Sequence, residues 1–301
     1  MRSFSLLATP AIALLAASAV VHTARGRDTD QQIAAHPRGL VEVSNTSGNI
    51  EVSGWDQPKV SVHADVSGNT NDVKVKSDHG RTTITVRPAG RSFPFGGDVD
   101  LKIKIPRGSE LDVTAVSGNV TCTGVSGIQR LKTVSGSIVA DIAQSDVDAK
   151  SVSGNVTLHG QGKPADLHIT SISGNIQLDH GAGDIEASTV GGDVMVQLDS
   201  GHSVRVHTAS GDMIVRGRLA KGADVDAQTV NGDVKLHASA DAGYEYEAQT
   251  FSGDIHSCFK AQAERQSQFG PGERLSGSVG GGGGHVRLKT MSGDVELCDK
   301  P

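Results

Sequence analysis

Residues 290–298 read Thr-Met-Ser-Gly-Asp-Val-Glu-Leu-Cys, and residues 250–258 read Thr-Phe-Ser-Gly-Asp-Ile-His-Ser-Cys. The unit common to both is a hydroxyl residue, any residue, Ser-Gly, then Asn or Asp, then Ile or Val. Allowing degenerate copies, it recurs about Gly48, Gly118, Gly136, Gly154, Gly174, Gly192, Gly211, Gly232, Gly253 and Gly293. From Gly118 to Gly253 the copies stand 18, 18, 20, 18, 19, 21 and 21 residues apart. A near-constant step of this size marks a stacked array, in which no unit can bury its apolar face alone.

The residues around each glycine identify the element. Counted from Gly174, apolar residues fall at −7 (Leu167), −5 (Ile169), −2 (Ile172), +2 (Ile176) and +4 (Leu178). Gly232 has Val225, Ala227, Val230, Val234 and Leu236 at the same offsets, and Gly293 has Val286, Leu288, Met291, Val295 and Leu297. Spacing of two is strand alternation rather than helical periodicity. Each unit therefore reads as two short strands joined at the Ser-Gly-Asn/Asp corner, with all five positions facing inward. Gln129 at −7 and Ser257 at +4 break the pattern as bulges or polar intrusions. Glycine suits a corner of positive φ, and Asn or Asp can hydrogen-bond nearby backbone. A hydroxyl column at −3 (Thr133, Ser151, Ser171, Thr189, Thr208, Thr229, Thr250, Thr290) is placed to satisfy corner groups rung upon rung.

The predicted fold is all-β, a single-domain β-solenoid resembling a parallel β-helix, with about ten rungs of 18–21 residues. Arg2, the apolar run Leu6–Ala17 and the small-x-small site Ala17-Ser18-Ala19 predict a signal peptide over 1–19. A flexible segment follows over 20–38, and the solenoid occupies 39–298. Within it, 39–115 are irregular N-terminal rungs, 116–258 regular rungs, 259–285 a loop insertion and 286–298 the final rung. The insertion contains Gly270-Pro271-Gly272 and the run Gly280–Gly284, which lacks the Gly-Lys-Ser/Thr ending of a phosphate loop.

The formal net charge is −6, and loss of Arg2 with the leader makes it one unit more negative. That disfavours nucleic acid as a partner. No second apolar span follows the leader. The mature chain is expected to be exported, periplasmic or at the cell surface or secreted, in a compartment where disulfides persist.

Cys258 and Cys298 both stand at +5. If 259–285 bulges from a single rung, the two lie on neighbouring rungs about 5 Å apart, within disulfide range; two full rungs in between would forbid the bond. The loop-like composition favours the bulge and a Cys258–Cys298 bridge. His237 stands at +5 one rung earlier, but no fourth metal ligand is evident. Cys122 occupies an inward slot. Asp193, Asp212, Asp233, Asp254 and Asp294 form an acidic column that reads as turn caps rather than a calcium ladder. Trp55 and the Phe259 loop are the aromatic candidates for a sugar platform, whereas Tyr246 and Phe251 fall in inward slots. No nucleophile–base motif, catalytic site or cofactor motif is present.

The repeated Thr-Val-Ser-Gly-Asn/Asp-Val/Ile corners, Val-Ser-Gly-Trp-Asp at 52–56, Ile-Lys-Ile-Pro at 103–106 and the closing Leu-Lys-Thr-Met-Ser-Gly-Asp-Val resemble a bacterial β-strand-repeat family of unknown function. Its members bear the label putative adhesin. The resemblance covers nearly all of 39–298 and implies adhesion. The expected function is a non-enzymatic cell-envelope binding module for an envelope polymer or protein. The alternatives are a scaffold self-associating end to end through its open sheet edges, and a β-helix polysaccharide-active enzyme. Thiol titration of the denatured, unreduced chain should count one free thiol, Cys122; a count of three would exclude the bridge.

Overall fold

The computed structural model describes residues 24–25, 29–67, 71–88, 97–239, 241, 243–265, 271–281 and 283–299. The expected leader, 1–19, lies outside them, as do 89–96 and 266–270. The described residues form 25 strands joined in one sheet. Among them there is no helix long and apolar enough to cross a membrane.

Each repeat contributes one strand before its glycine and one after. Around Gly154 these are Val147–Ser153 and Val156–His159. The first pairs in parallel with Gln129–Ser135 and Ala165–Ser173, the second with Ile138–Asp141 and Ile176–Ser188. Equal offsets oppose each other, as in Val147 against Leu167 and Val156 against Ile176. Three longer strands, Ile176–Ser188, Val194–His207 and Met213–Gln228, run from one face into the next. They merge the two faces into a single sheet wrapped around the core.

The inward set differs from the predicted one at a single column. In the Gly174 rung Leu167, Ile169, Ser171, Ile176 and Leu178 are buried, while Ile172 is 47 % exposed. The interior positions are thus −7, −5, −3, +2 and +4. Alternation of period two simply continues to −3, and the hydroxyl there is tolerated because it finds a partner. Ser171 Oγ donates to Gly154 O at 3.1 Å, Thr189 Oγ1 to Gly174 O at 3.1 Å, and Thr290 Oγ1 to Gly232 O at 2.9 Å. The same bond recurs in every rung from Gly136 on. In the Gly48 rung Asn45 takes the position, donating to Val99 O at 2.8 Å.

The corner glycines are required by the stack. Gly211 has φ +145°, and a Cβ there would overlap the carbonyl oxygen of Gly192 in the neighbouring rung. The +1 residue supplies a further ladder: Asn155 Oδ1 accepts from Asn175 N, Asn175 Oδ1 from Asp193 N, and Asp193 Oδ1 from Asp212 N, each at 2.9 Å. Each side chain therefore caps the corner of the adjoining rung rather than its own turn, as sequence reading had it. Gln129 is no bulge: it keeps register, is buried, and its Nε2 donates to Asp141 O at 2.9 Å. Ser257 likewise stays in register, opposite Leu297.

Spatial order departs from chain order at both ends. The Gly48 rung stacks directly on the Gly118 rung, Leu40–Ser47 against Glu110–Ser117 and Ile50–Trp55 against Val120–Thr123. The residues between them form an end cap in which Lys59–Val66 runs antiparallel to Val99–Pro106, and Asn71–Asp78 antiparallel to Arg81–Pro88. Residues 29–34, within the segment expected to be flexible, add a strand antiparallel to Lys59–Val66. At the other end the last rung in sequence is not the last in space. Gly284–Ser292 lies between Met213–Gln228 and Tyr244–Ser252, so the Gly293 rung is inserted between those of Gly232 and Gly253.

Charge on the outer face accords with the insertion, although like charges do meet elsewhere in the stack, at Glu42 and Asp112 and at Asp166 and Asp184. The −6 column reads Glu42, Asp112, Arg130, Asp148, His168, Glu186, Arg205, Asp226, Arg287, Glu247 in spatial order. Stacking in chain order would set Asp226 against Glu247 and Asp224 against Glu245, like charges directly opposite, which destabilises a sheet. Insertion places Arg287 and His285 between them. The loop over 259–285 makes it possible, and its strand Glu273–Val279 covers the end antiparallel to Tyr244–Ser252.

Gly211→Ala should lower unfolding stability by about 1–3 kcal/mol or more, the range for a residue forced into strained backbone. Gly281→Ala, where an added Cβ meets nothing within 4 Å, should stay within about 0.5 kcal/mol. Denaturant titration of both variants checks the corner geometry.

Candidate functional site

Turning the −2 column outward builds the main unassigned surface of the molecule. Val116, Val134, Val152, Ile172, Val190, Val230, Met291 and Phe251 are 40–56 % exposed. Together with half-buried Ala209 they follow one another rung by rung. At about 4.8 Å per step the file is about 40 Å long. Phe251, expected in the core, is the last member, whereas Tyr246 is buried and stacks on Phe259 with ring centroids 5.5 Å apart. The residue at −2 follows the buried −3 residue in the same strand, so alternation turns its side chain outward. The Ser, Gly or Asn at −1 instead pairs across rungs. Contiguous exposed aliphatic groups with polar rims mark contact surfaces. Here the rims are the −4 column, with Lys132, Lys150 and Lys289, and the +1 column, which changes from Asn to Asp along the rod.

The Asp column offers little to calcium. Oδ1 of Asp193, Asp212, Asp233 and Asp294 each accepts a backbone amide of the adjoining corner at 2.9 Å, and Lys235 Nζ lies 3.9 Å from Asp233 Oδ2.

A groove of about 680 Å³ lies at the C-terminal end, lined among others by Arg205, Asp224, Asp226, Glu245, Glu247, Arg274, His285 and Arg287. Sequence reading found no cleft with clustered acidic and basic groups. The cluster is assembled from −6 and −8 positions of neighbouring rungs together with Arg274 of the antiparallel strand Glu273–Val279, and the visible signal was the run of charged residues at those offsets. Its charges are engaged with one another: Arg274 Nη2 with Glu247 Oε1 at 2.9 Å, Arg287 Nε with Glu247 Oε2 at 4.0 Å, and His285 Nδ1 with Glu245 Oε2 at 3.8 Å.

Cys258 and Cys298 are joined by a disulfide with Cα atoms 4.9 Å apart, beside His237 on the adjoining rung. The neighbouring rungs come from insertion, not from the Gly293 rung capping the pile. His237, Glu296 and Cys298 bring three potential ligand atoms within 4.8 Å of one another. Cys122 is buried, and burial, then the charge of Asp141, pushes its thiol up to about 12, so it stays protonated and unreactive. Trp55 is a poor open platform for a sugar: its Nε1 donates to Lys59 O, and the ammonium groups of Lys59 and Lys104 stand 5.5 and 5.9 Å from the ring.

No curated protein matches this sequence. A family model described as Toastrack DUF4097 matches residues 39–298. Among solved structures the chain is similar to a putative adhesin from Parabacteroides distasonis ATCC 8503, at 12 % identity and TM-score 0.37, with 90 % of this chain and 97 % of that one covered. It is similar to a putative adhesin from Bacteroides fragilis NCTC 9343 at 12 % identity and TM-score 0.36, with the same coverage. A third, named a putative lipid binding protein, also from P. distasonis ATCC 8503, aligns at 13 % identity and TM-score 0.30, again covering 90 % and 97 %.

Ile172→Lys should leave the unfolding midpoint nearly unchanged, within about 0.5 kcal/mol, as for surface positions generally. Ile169→Lys, three residues earlier and 1 % exposed, should prevent folding by burying an unpaired charge. Thermal melts of the pair separate an outward −2 column from an inward one.

Proposed function

The chain belongs to the Toastrack DUF4097 family, and we propose that it is a non-enzymatic, adhesin-like binding module of the cell envelope. In this reading it is exported by its leader and holds an envelope polymer or protein along the aliphatic file. The observation that carries the reading is the file itself. Eight large apolar side chains are kept in solvent at one repeated offset, while every neighbouring column is either buried or polar. Core packing has no use for them. A regular spacing of about 4.8 Å suits an extended chain laid along the rod, each repeat of which meets the same small apolar step. The stacked rungs form a long rigid support and spare the surface the ordering cost of a mobile loop.

The scaffold alternative draws less support. End-to-end growth needs an open strand edge; antiparallel strands lie over the N-terminal end and over Tyr244–Ser252 at the other, leaving the short Ile255–Ser257 with no strand on its outer side among the described residues. The enzyme alternative has the charged groove in its favour, but Arg274, Arg287 and His285 there pair with Glu247 and Glu245.

Labelled wild-type chain should bind isolated envelope fractions saturably. A Val152→Lys/Ile172→Lys/Val190→Lys variant that folds normally should bind about 10-fold or more weaker, since a few central contacts dominate an interface. Equal binding by both chains would remove the file from the function. Release of unsaturated sugars from envelope polysaccharide by the wild type would overturn the non-enzymatic reading.

A further inference from the structure

We propose that reduction of the Cys258–Cys298 disulfide opens a zinc site formed by both thiolates, His237 and Glu296. The +5 column places the three residues on three neighbouring rungs in the order His237, Cys298, Cys258. His237 is registered opposite Cys298, and Cys258 N bonds to Leu297 O at 3.0 Å. Glu296, two residues before Cys298 on the same face, is the fourth ligand that the sequence alone did not reveal. Its Oε1 lies 3.2 Å from His237 Nε2 and 4.0 Å from Cys298 Sγ. In a tetrahedral zinc site, bonds of about 2.0–2.3 Å place neighbouring donor atoms about 3.3–3.8 Å apart. The three atoms already approach that spacing, all lying within 4.8 Å of one another. The fourth, Cys258 Sγ, lies outside that trio, bonded to Cys298 Sγ from the far rung, and turns toward the others once the bridge opens.

Insertion of the Gly293 rung is what makes the set. It puts Cys298 and Glu296 in the central strand, within reach of His237 on one side and Cys258 on the other. Two thiolates and a carboxylate leave the zinc complex with one surplus negative charge. Lys235 stands opposite Glu296 in the strand register, its Nζ 3.9 Å from Asp233 Oδ2.

The disulfide and the metal are alternatives. A dithiol reductant transfers two electrons and two protons to the bridge, which becomes two thiols as the reductant becomes a disulfide. Each thiol then releases its proton on binding Zn²⁺, and His237 binds as neutral imidazole. The same edge of the sheet, and the same 40-residue excursion, is thus clipped covalently under oxidising conditions and by metal under reducing ones.

Cobalt(II) added to the purified full chain tests this. The reduced wild type should take up one ion per chain, showing thiolate-to-cobalt charge transfer and the intense d–d absorption of a tetrahedral site, reversed by zinc. The oxidised wild type should show neither. His237→Ala and Glu296→Gln should each weaken uptake by the reduced chain at least about 10–100-fold, the loss that even an outer-shell change brings. Cys258→Ser, which frees the Cys298 thiol without any reductant, should still bind, more weakly and with a one-thiolate spectrum. Cobalt uptake by reduced wild type no better than that of the Cys258→Ser/Cys298→Ser chain would overturn the site. So would indifference to both His237→Ala and Glu296→Gln, or a pale six-coordinate spectrum from a reduced chain that has lost its β circular dichroism.

Discussion

The structure depends on a single rung-to-rung contact at the corner. A glycine carbonyl points along the stack and accepts the buried hydroxyl of the adjoining rung, as Gly154 O does from Ser171 Oγ. The space beside it is too small for a Cβ. One position therefore carries three constraints: positive φ, close backbone approach and a buried polar acceptor. Around it the neighbouring columns fall into place. The hydroxyl at −3 is drawn inside because its partner is there, and the Asx at +1 is drawn to the amide of the adjoining corner. The residue at −2, between strand and corner, has only solvent to face. The large apolar residues at −2 then have no structural cause in the core, and that is the physical basis for placing a contact surface there.

The same contact sets what the two ends can be. A parallel stack with in-register rungs leaves unpaired edges, dressed with antiparallel strands by Lys59–Val66 and Thr29–Ala34 at one end and, over Tyr244–Ser252, by Glu273–Val279 at the other. At the C-terminal end the stacking order sets opposite charges side by side. Arg287 and His285 separate acidic residues that chain order would bring together. One consequence is chemical: the rung that relieves the repulsion is the one that carries Cys298 and Glu296 to the side of His237. The other is topographic, since the same −6 and −8 columns line the charged groove.

Much of this was legible in the residues. A repeated Ser-Gly-Asn/Asp unit, a step near 19 and period-two apolar flanks led to stacked two-stranded units, because each of those signals is local and repeats in register. The error at −2 came from treating apolarity as evidence of burial. Val134 and Leu131 are equally apolar, yet only Leu131 is buried. Whether a side chain at the end of a strand turns in or out depends on how far the alternation runs on, and the −3 hydroxyl finding its carbonyl carries it inward at −3 and outward at −2. Gln129 shows the converse, a polar side chain kept in the core by one well-placed acceptor.

The amino-acid sequence by itself determined the element type, the repeat, the need for glycine at the corners and the shared column of Cys258 and Cys298, since all of these follow from short-range stereochemistry and spacing. Only the tertiary structure decided which rung lies beside which, which face of the corner meets solvent, and which carboxylate reaches His237. Those are contests between groups far apart in the chain, settled by cross-strand charge and by the reach of side chains across about 4.8 Å.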